Sequence, residues 1–475
     1  MSHASPSDAS SRSTAAAEPA EQTGVDETRP RRPRRRLLLA AGAVVVVAAV
    51  VVAVVVAVRG DQRAVADPVP ASVPVAVRAS DVPDGTTVGV VITLGQGEGS
   101  AWAAAAQGGL VAERRLELGG SDVSLSVQDD GGSAEGARAA VEVLVADGVA
   151  GIVVASSGSH VSGAVDAARE AGVPVVLPYA EVPGGSGEGA WSTAPDAAVT
   201  GAALQAALGG STHTLLVDLG GGSQAGVAVA DILVASAVGD DTAVADEVAR
   251  LAGAAPSTDV DPDAPAEAAP LAVAVPATAV LLSGSATRQA ALVAALQSAD
   301  LPVPVVLTPE ATSPAFTAAL SERGGSLAGD LTTVGVQTDD AVALRSDAAG
   351  RTMSAFLAGV RVLARDGDAV NLTGDQPFSA VAAQADSRSH DAVLALVRAV
   401  SAAGSSDPAE VSAALGSLSL VASDGIAGPA LDFGADEPDT GEVEVLHASS
   451  QALGLRPAAD AGVARLVWFA GPTTD

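Results

Sequence analysis

Residues 151–180, GIVVASSGSHVSGAVDAAREAGVPVVLPYA, constrain the fold more tightly than any other stretch of the chain. Two short valine-rich apolar runs, 151–155 and 173–178, read as buried strands. Between them a Ser-Ser-Gly-Ser loop opens a helix over about residues 160–171, with Val161, Ala164, Val165 and Ala168 at helical spacing. Asp166, Arg169 and Glu170 stay off that stripe. Strand, helix and strand in this order imply a parallel pair with a right-handed crossover. In such sheets ligands sit at the loops leaving the carboxyl ends of the strands. This loop offers the hydroxyls of Ser156, Ser157 and Ser159 beside the free N–H groups of a helix start.

The same rhythm runs on either side. Strands are expected at 87–94 and 122–129, with helices at about 101–117 and at 134–146. After residue 193 the pattern restarts with a helix (197–208), a strand (212–219), a glycine-rich loop (220–222) and a helix over about 225–238. A low-complexity segment (254–276) precedes a strand (279–284), a helix (288–299) and a strand (303–307). Helices at 349–364 and about 390–403 and strand-like pieces at 441–447 and 464–468 complete the chain. The fold class is α/β, with two doubly wound parallel-sheet lobes.

The first 30 residues carry almost no large apolar side chains and cannot bury enough surface to fold. RRPRRR then precedes an unbroken apolar run over residues 37–58. At about 1.5 Å per residue that run spans roughly the 30 Å hydrocarbon core of a bilayer. Five arginines lie directly before it and only Arg59 and Arg63 closely after, which puts the amino terminus in the cytoplasm and the rest outside. A cleaved leader is the alternative, with Ala64-Val65-Ala66 as its processing site; the length of the run favours an uncleaved anchor. The expected division is a disordered cytoplasmic tail (1–36), a transmembrane helix (37–58) and an extended Pro/Val/Ala linker (59–85), followed by the lobes.

Composition removes several function classes. The chain has no cysteine, so disulfides, thiolate metal sites and a lipidated cysteine are excluded. All 25 basic residues are arginine, which removes Walker-type phosphate loops and lysine bases. A net charge of -31 opposes nucleic-acid binding. The five histidines are scattered, with no pair at metal-ligand spacing, and no G-x-S-x-G elbow occurs. Neither an enzyme nor a cofactor or metal site is expected.

Six local patterns, in order, resemble the type I periplasmic binding proteins, specifically the branched-chain amino-acid-binding branch. VGVVITLG with Trp102 and Gly109 is similar to that family's first strand, loop aromatic and helix glycine. QDDGGSAEGARAAVEVLVADGVAGIVVASSGS is similar to its acidic strand end, second helix and ligand-contacting serine loop. AGVPVVLPYA, WSTAPDA, SHDAVLALVRAV and GPALDFGAD resemble its later strand, crossover, helix and terminal segments. The resemblance implies two lobes joined by three crossovers, 86–193 with 333–430 and 194–332 with 431–475, closing by a hinge on a ligand. It further implies a small-molecule ligand, ABC permease subunits as partners and a cell-surface location behind the membrane anchor. A sensor or interaction module with the same fold and no transport role is the competing expectation.

The resemblance also nominates ligand-contacting residues. Ser156 and Ser157 match the serine loop that holds a ligand carboxylate, with Ser159 beside them. Trp102 matches an aromatic placed over the ligand, with core packing as the alternative. Tyr179, Ala180 and Glu181 follow the fourth strand at the same cleft edge. In the second lobe Ser223 and Gln224 replace a tyrosine-containing loop, so Gln224 becomes a cleft-wall candidate. Glu181 falls where amino-acid binders carry a threonine that grips the α-carboxylate, and Arg288 near their ammonium-binding glutamate. Both departures oppose a simple branched-chain amino acid, unless Glu181 and Arg288 pair across the closed cleft. His160 is expected partly exposed at its helix start.

Overall fold

The computed structural model describes residues 75–235, 240–254, 275–299, 301–435, 441–457 and 465–471. The expected anchor at 37–58 lies outside them, and among the described residues no helix is long and apolar enough to cross a membrane.

The first sheet is parallel throughout. Its strands β1 (Thr86–Ile92), β2 (Val123–Asp129), β3 (Ile152–Val154), β4 (Val175–Leu177) and β5 (Ala190–Ser192) lie in the order β2-β1-β3-β4-β5. The runs of valine and isoleucine pack on both faces, so the strands are apolar without alternation. Helices α1 (Gly108–Gly119), α2 (Ala134–Ala146) and α3 (Val161–Ala171) supply the covering layers. Val141, Leu144 and Val165 pack with Val91, Ile152 and Val154 in one core cluster. Leu116 joins Val90, Ile92 and Val153 in the other. A polar cap defines the start of α2, where the Ser133 hydroxyl accepts from the Gly136 N–H.

Helix α1 begins late. Ser100–Trp102 and Ala105–Gln107 form separate 3-10 turns before it. Ala105's carbonyl accepts from the Gly108 N–H and also from the Asp386 N–H and the Ser389 hydroxyl, far along the chain.

The second sheet contains β6 (Thr214–Asp218), β7 (Asp231–Val234), β8 (Ala279–Ser283), β9 (Val305–Leu307) and β10 (Thr332–Val336), with β13 (Val443–Ser449) and β14 (Val467–Ala470) at one edge. It is mixed rather than wholly parallel, because β13 runs antiparallel to both β10 and β14. Helices α4 (Ala197–Ala207), α5 (Asp241–Leu251), α6 (Ala286–Leu296) and α7 (Pro314–Glu322) belong to this lobe. Phe316, Leu292 and Val280 are fully buried in its core.

Two expectations are corrected here. In place of a helix over 225–238, the described part is a loop followed by edge strand β7. Val227 and Val229 both turn toward the core, a period of two, and the Ala228 N–H between them donates to Gln205 Oε1. The helix comes later, where Asp240 caps α5 by accepting from Thr242 and Ala243. The second correction concerns the return to lobe 1, expected at residue 333. β10 instead pairs with β9 and β13 in the second sheet.

The return lies beyond Val336. Helices α8 (Ala348–Arg365), α9 (Ser387–Ala403) and α10 (Pro408–Leu415) and the two-stranded β11 (Ser419–Leu420) and β12 (Leu431–Asp432) follow. Leu394, Leu396, Leu431 and Phe433 enter the first lobe's core, so this stretch also runs past 430. The chain thus passes between the sheets three times, after β5, after β10 and between Phe433 and Val443.

Candidate functional site

Strand order places the site. In the first sheet the chain leaves β1 for β2 on one side and β3 on the other, and in the second it leaves β6 for β7 and β8. Crevices open at such switch points. A cavity of about 860 Å³ occupies the space between the two, lined by the loop after β1, the serine loop, the Leu219–Gln224 region and the start of α6.

The serine loop is more fully engaged than its sequence implies. Ser156 is completely buried, with its hydroxyl 2.6 Å from Thr93 Oγ1 and 3.0 Å from His160 Nε2, and it does not line the cavity. Ser159 donates to Glu98 and also stands outside the lining. Ser157 lines the cavity and accepts from Trp102 Nε1 at 3.0 Å, keeping its own O–H free to donate. Gly99 makes this closure possible: at φ +91° it brings the preceding loop so near that a Cβ would stand 2.0 Å from Ser156 Oγ.

His160 is only 3% exposed, contrary to expectation. Its Nε2 lies 3.1 Å from the buried Asp130 carboxylate, and Nδ1 lies 3.5 Å from Glu98. Burial works against the charged ring, but Asp130 and Glu98 outweigh it and raise the pKa above 6.5. Glu98 moves the opposite way: burial alone would raise it, yet bonds from Ser159 and the nearby His160 hold it below 4.5. Ser156, His160 and Asp130 do not form a nucleophilic triad. Both partners meet the same ring nitrogen, whereas a triad uses the two nitrogens separately.

Beside this loop, Trp102 stacks on Tyr179, ring centroids 4.4 Å apart and planes 4° from parallel. Both line the cavity and both are nearly buried. The Arg388 guanidinium lies 4.6 Å from the Trp102 centroid and 4.8 Å from that of Tyr179. Asp386, the N-cap of α9, holds it through Nε and Nη2. The Tyr179 hydroxyl is buried without a hydrogen bond of good geometry, and burial pushes its pKa well above 10. Sequence reasoning missed Arg388 and Asp386. The Asp-Ser-Arg preceding SHDAV was the available signal, an arginine at a helix start in an acid-rich chain.

The second lobe presents a different wall. Gln224 lines the cavity but donates to Ser283 Oγ at 2.9 Å, bracing its own loop. Glu310, in the turn before α7, has a buried Oε2 without a partner among the described residues. Ser313, the N-cap of α7, is 1% exposed with an equally unpartnered hydroxyl. Both line the cavity. Neither was singled out from sequence, since nothing local marks a turn carboxylate as unbonded.

One expectation fails on position, and a second keeps its position but not the pairing foreseen for it. Arg288 is absent from the cavity lining; its Nη2 donates to the Ala235 carbonyl at 2.9 Å and Nη1 lies 3.6 Å from Asp241. Glu181 lines the cavity beside Tyr179 and Ala180, but its carboxylate accepts from the Ala197 N–H at the start of α4. It is therefore compensated by a helix amino terminus. The two do not pair, and their case against an amino-acid ligand lapses.

Between the lobes, Arg456 and Arg465 converge on Asp339 and Asp340. Burial raises Asp339, while the two arginines hold Asp340 below 3.8 despite burial. Among the described residues no group of three or more His, Asp or Glu side chains is arranged to hold a metal ion.

No protein-family model and no curated protein matches the chain. Solved structures do. The branched-chain amino-acid transporter substrate-binding protein LivJ of Streptococcus pneumoniae, in complex with isoleucine, aligns at a TM-score of 0.53 and 14% identity, over 77% of this chain and 95% of its own. The fold is that of the type I periplasmic binding proteins. The leucine-binding protein LivK of Thermotoga maritima aligns at 0.53 and 16% identity, over 81% of this chain and 98% of its own. A solute-binding protein of R. palustris, in complex with 4-hydroxybenzoate, aligns at 0.52 and 15% identity, covering 81% and 95%. The α/β lobes with parallel strands thus recur in proteins of this fold.

Proposed function

We propose that the chain is an extracytoplasmic solute-binding protein that captures a small polar ligand between its lobes by hinge closure. The observation that carries this reading is the cavity at both switch points, with Glu310 Oε2 and Ser313 Oγ unpartnered in its wall. A buried polar atom without a partner costs about 1–3 kcal/mol, and a ligand donor would recover it. LivJ and the R. palustris protein, which share the fold and hold isoleucine and 4-hydroxybenzoate, support a solute-binding role. Amino-acid-like compounds, amines and amides fit the mixed polarity of the walls. We further propose that residues 37–58 anchor the protein in the cell membrane with the lobes outside, and that it delivers ligand to an ABC importer.

A sensor without a transport role is the second reading. It is favoured by the absence of a cysteine for lipid anchoring and by the polar tail of residues 1–36 ahead of the apolar run. Melting curves against a panel of amino acids, amines, amides, aromatic carboxylates and sugars test the common core of both. A ligand at about 100 times its Kd stabilises by about 2.7 kcal/mol. Silence across the panel would count against solute binding itself, whereas a hit without any effect on uptake would favour the sensor.

A further inference from the structure

Arg388 stands apart from the other arginines that line the cavity. Arg456 and Arg465 are spread over Asp339, Asp340 and backbone carbonyls. Arg388 has five N–H donors. Asp386 takes Nε, at 3.1 and 3.4 Å, and one N–H of Nη2 at 2.7 Å. Among the described residues nothing accepts from Nη1 or from the second N–H of Nη2. That edge is the planar fork that grips a carboxylate with two parallel hydrogen bonds.

The fork is held in place before any ligand arrives. Trp102 and Tyr179 fix the guanidinium through their rings, and Asp386 fixes it from the start of α9. The side chain remains 22% exposed, and the residue lines the cavity. The nearby charges are already matched, Asp386 with Arg388 itself and Asp339 with Arg465. Beside Arg388 an entering anion therefore meets an open donor edge, while the unpartnered Glu310 carboxylate belongs to the second lobe's wall. The hydroxyls of the serine loop have no comparable capacity, since those of Ser156 and Ser159 are spent within the lobe and Ser157 keeps a single O–H.

We infer that Arg388 is the specificity-determining anchor of the first lobe and that the ligand presents a carboxylate to it. This rests on the solute-binding reading above and narrows it to carboxylate-bearing ligands. Two consequences follow from the geometry. Replacing the carboxylate with a primary amide removes the match to the fork, and shortening the serine hydroxyls leaves recognition nearly intact.

Titration calorimetry on the full-length protein in detergent micelles tests the assignment with matched pairs: leucine and leucinamide, benzoate and benzamide, glutarate and glutaramide. The carboxylate of a bound pair should bind at least roughly tenfold tighter than its amide, about 1.4 kcal/mol. Arg388→Gln should erase that preference, and Arg388→Lys, which keeps the charge but not the fork, should restore only part of it. Ser157→Ala should change carboxylate affinity by less than about threefold, well under one hydrogen bond to a charged group. Melting curves establish that each variant is folded. An amide that binds as well as its acid, or a preference lost in Ser157→Ala but kept in Arg388→Gln, overturns the assignment. If amines or neutral compounds bind and carboxylates do not, the Arg388 inference falls while solute binding stands. If nothing binds the unmutated protein, both fall.

Discussion

The two walls of the cavity are built on opposite plans. On the first lobe most polar groups, the buried Tyr179 hydroxyl excepted, already have a partner within the lobe: Ser156 with Thr93 and His160, Ser157 with Trp102, Ser159 with Glu98, Arg388 with Asp386. On the second lobe Glu310 and Ser313 keep buried polar atoms unpaired. A wall whose polar groups are bonded to each other is preorganised and expensive to disturb, and it discriminates through the few donors left over. A wall with unpaired groups gains most from a ligand that completes it. On the proposed solute-binding reading, the first lobe is the preorganised template and the second the wall that a ligand completes.

Breaking the template should produce the largest effect. Asp130→Ala leaves His160 buried without its main counter-charge, and the protein should lose about 3–5 kcal/mol of stability at mildly acidic pH. Urea unfolding monitored by circular dichroism measures it. A loss within error would mean the network beneath the serine loop contributes nothing.

On the second lobe the same kind of change should fall on binding rather than on folding. Glu310→Gln should leave the melting temperature nearly unchanged, because no group among the described residues depends on Oε2, while weakening the panel's ligand by roughly tenfold. A destabilised fold with unchanged affinity would reverse the contrast between the walls.

The first lobe holds a finer contrast of its own. His160 has a pKa raised above 6.5, so its contribution is complete below that pH and fades as pH rises through the folded value. His390 points the other way. Its Nδ1 lies 2.6 Å from Asp391, but burial and then Arg115, 2.8 Å from Nε2, lower its pKa. Stability associated with His390 is therefore lost as pH falls below 6.5 toward the folded value. Across mildly acidic pH, His160→Gln should make the protein more acid-sensitive and His390→Gln less so. Equal slopes in a melting series would show that the surroundings of the two rings do not matter.

The smallest effect is expected at Arg288. Lying outside the cavity and paired with Asp241, it should cost at most about 1 kcal/mol when replaced by alanine and leave ligand affinity unchanged. A clear loss of affinity would return it to the cleft.

Much of this architecture was legible residue by residue. The helix expected at 134–146 is α2, and the opening unit forms β3, α3 and β4. Both rest on local causes, apolar spacing and caps. The helix expected at 225–238 failed because Ala and Val suit either period, and the core beside Val227 and Val229 selected strand-like spacing. At the cavity, residue type was a weaker guide than position. Three serines in one loop look equivalent, yet the loop around Gly99 buries Ser156 and leaves Ser157 at the surface of the cavity.

The sequence by itself determined the alternation of strands and helices, the absence of cysteine and lysine chemistry, and the loops at which a ligand could be met. These follow from short-range causes: apolar period, capping residues and composition. Only the tertiary structure decided which side chains are spent and which remain open. Arg115 meets His390 from 275 residues away, and Arg388 meets Trp102 from the far side of the chain. Whether a polar atom is satisfied depends on such partners, and no local pattern records them.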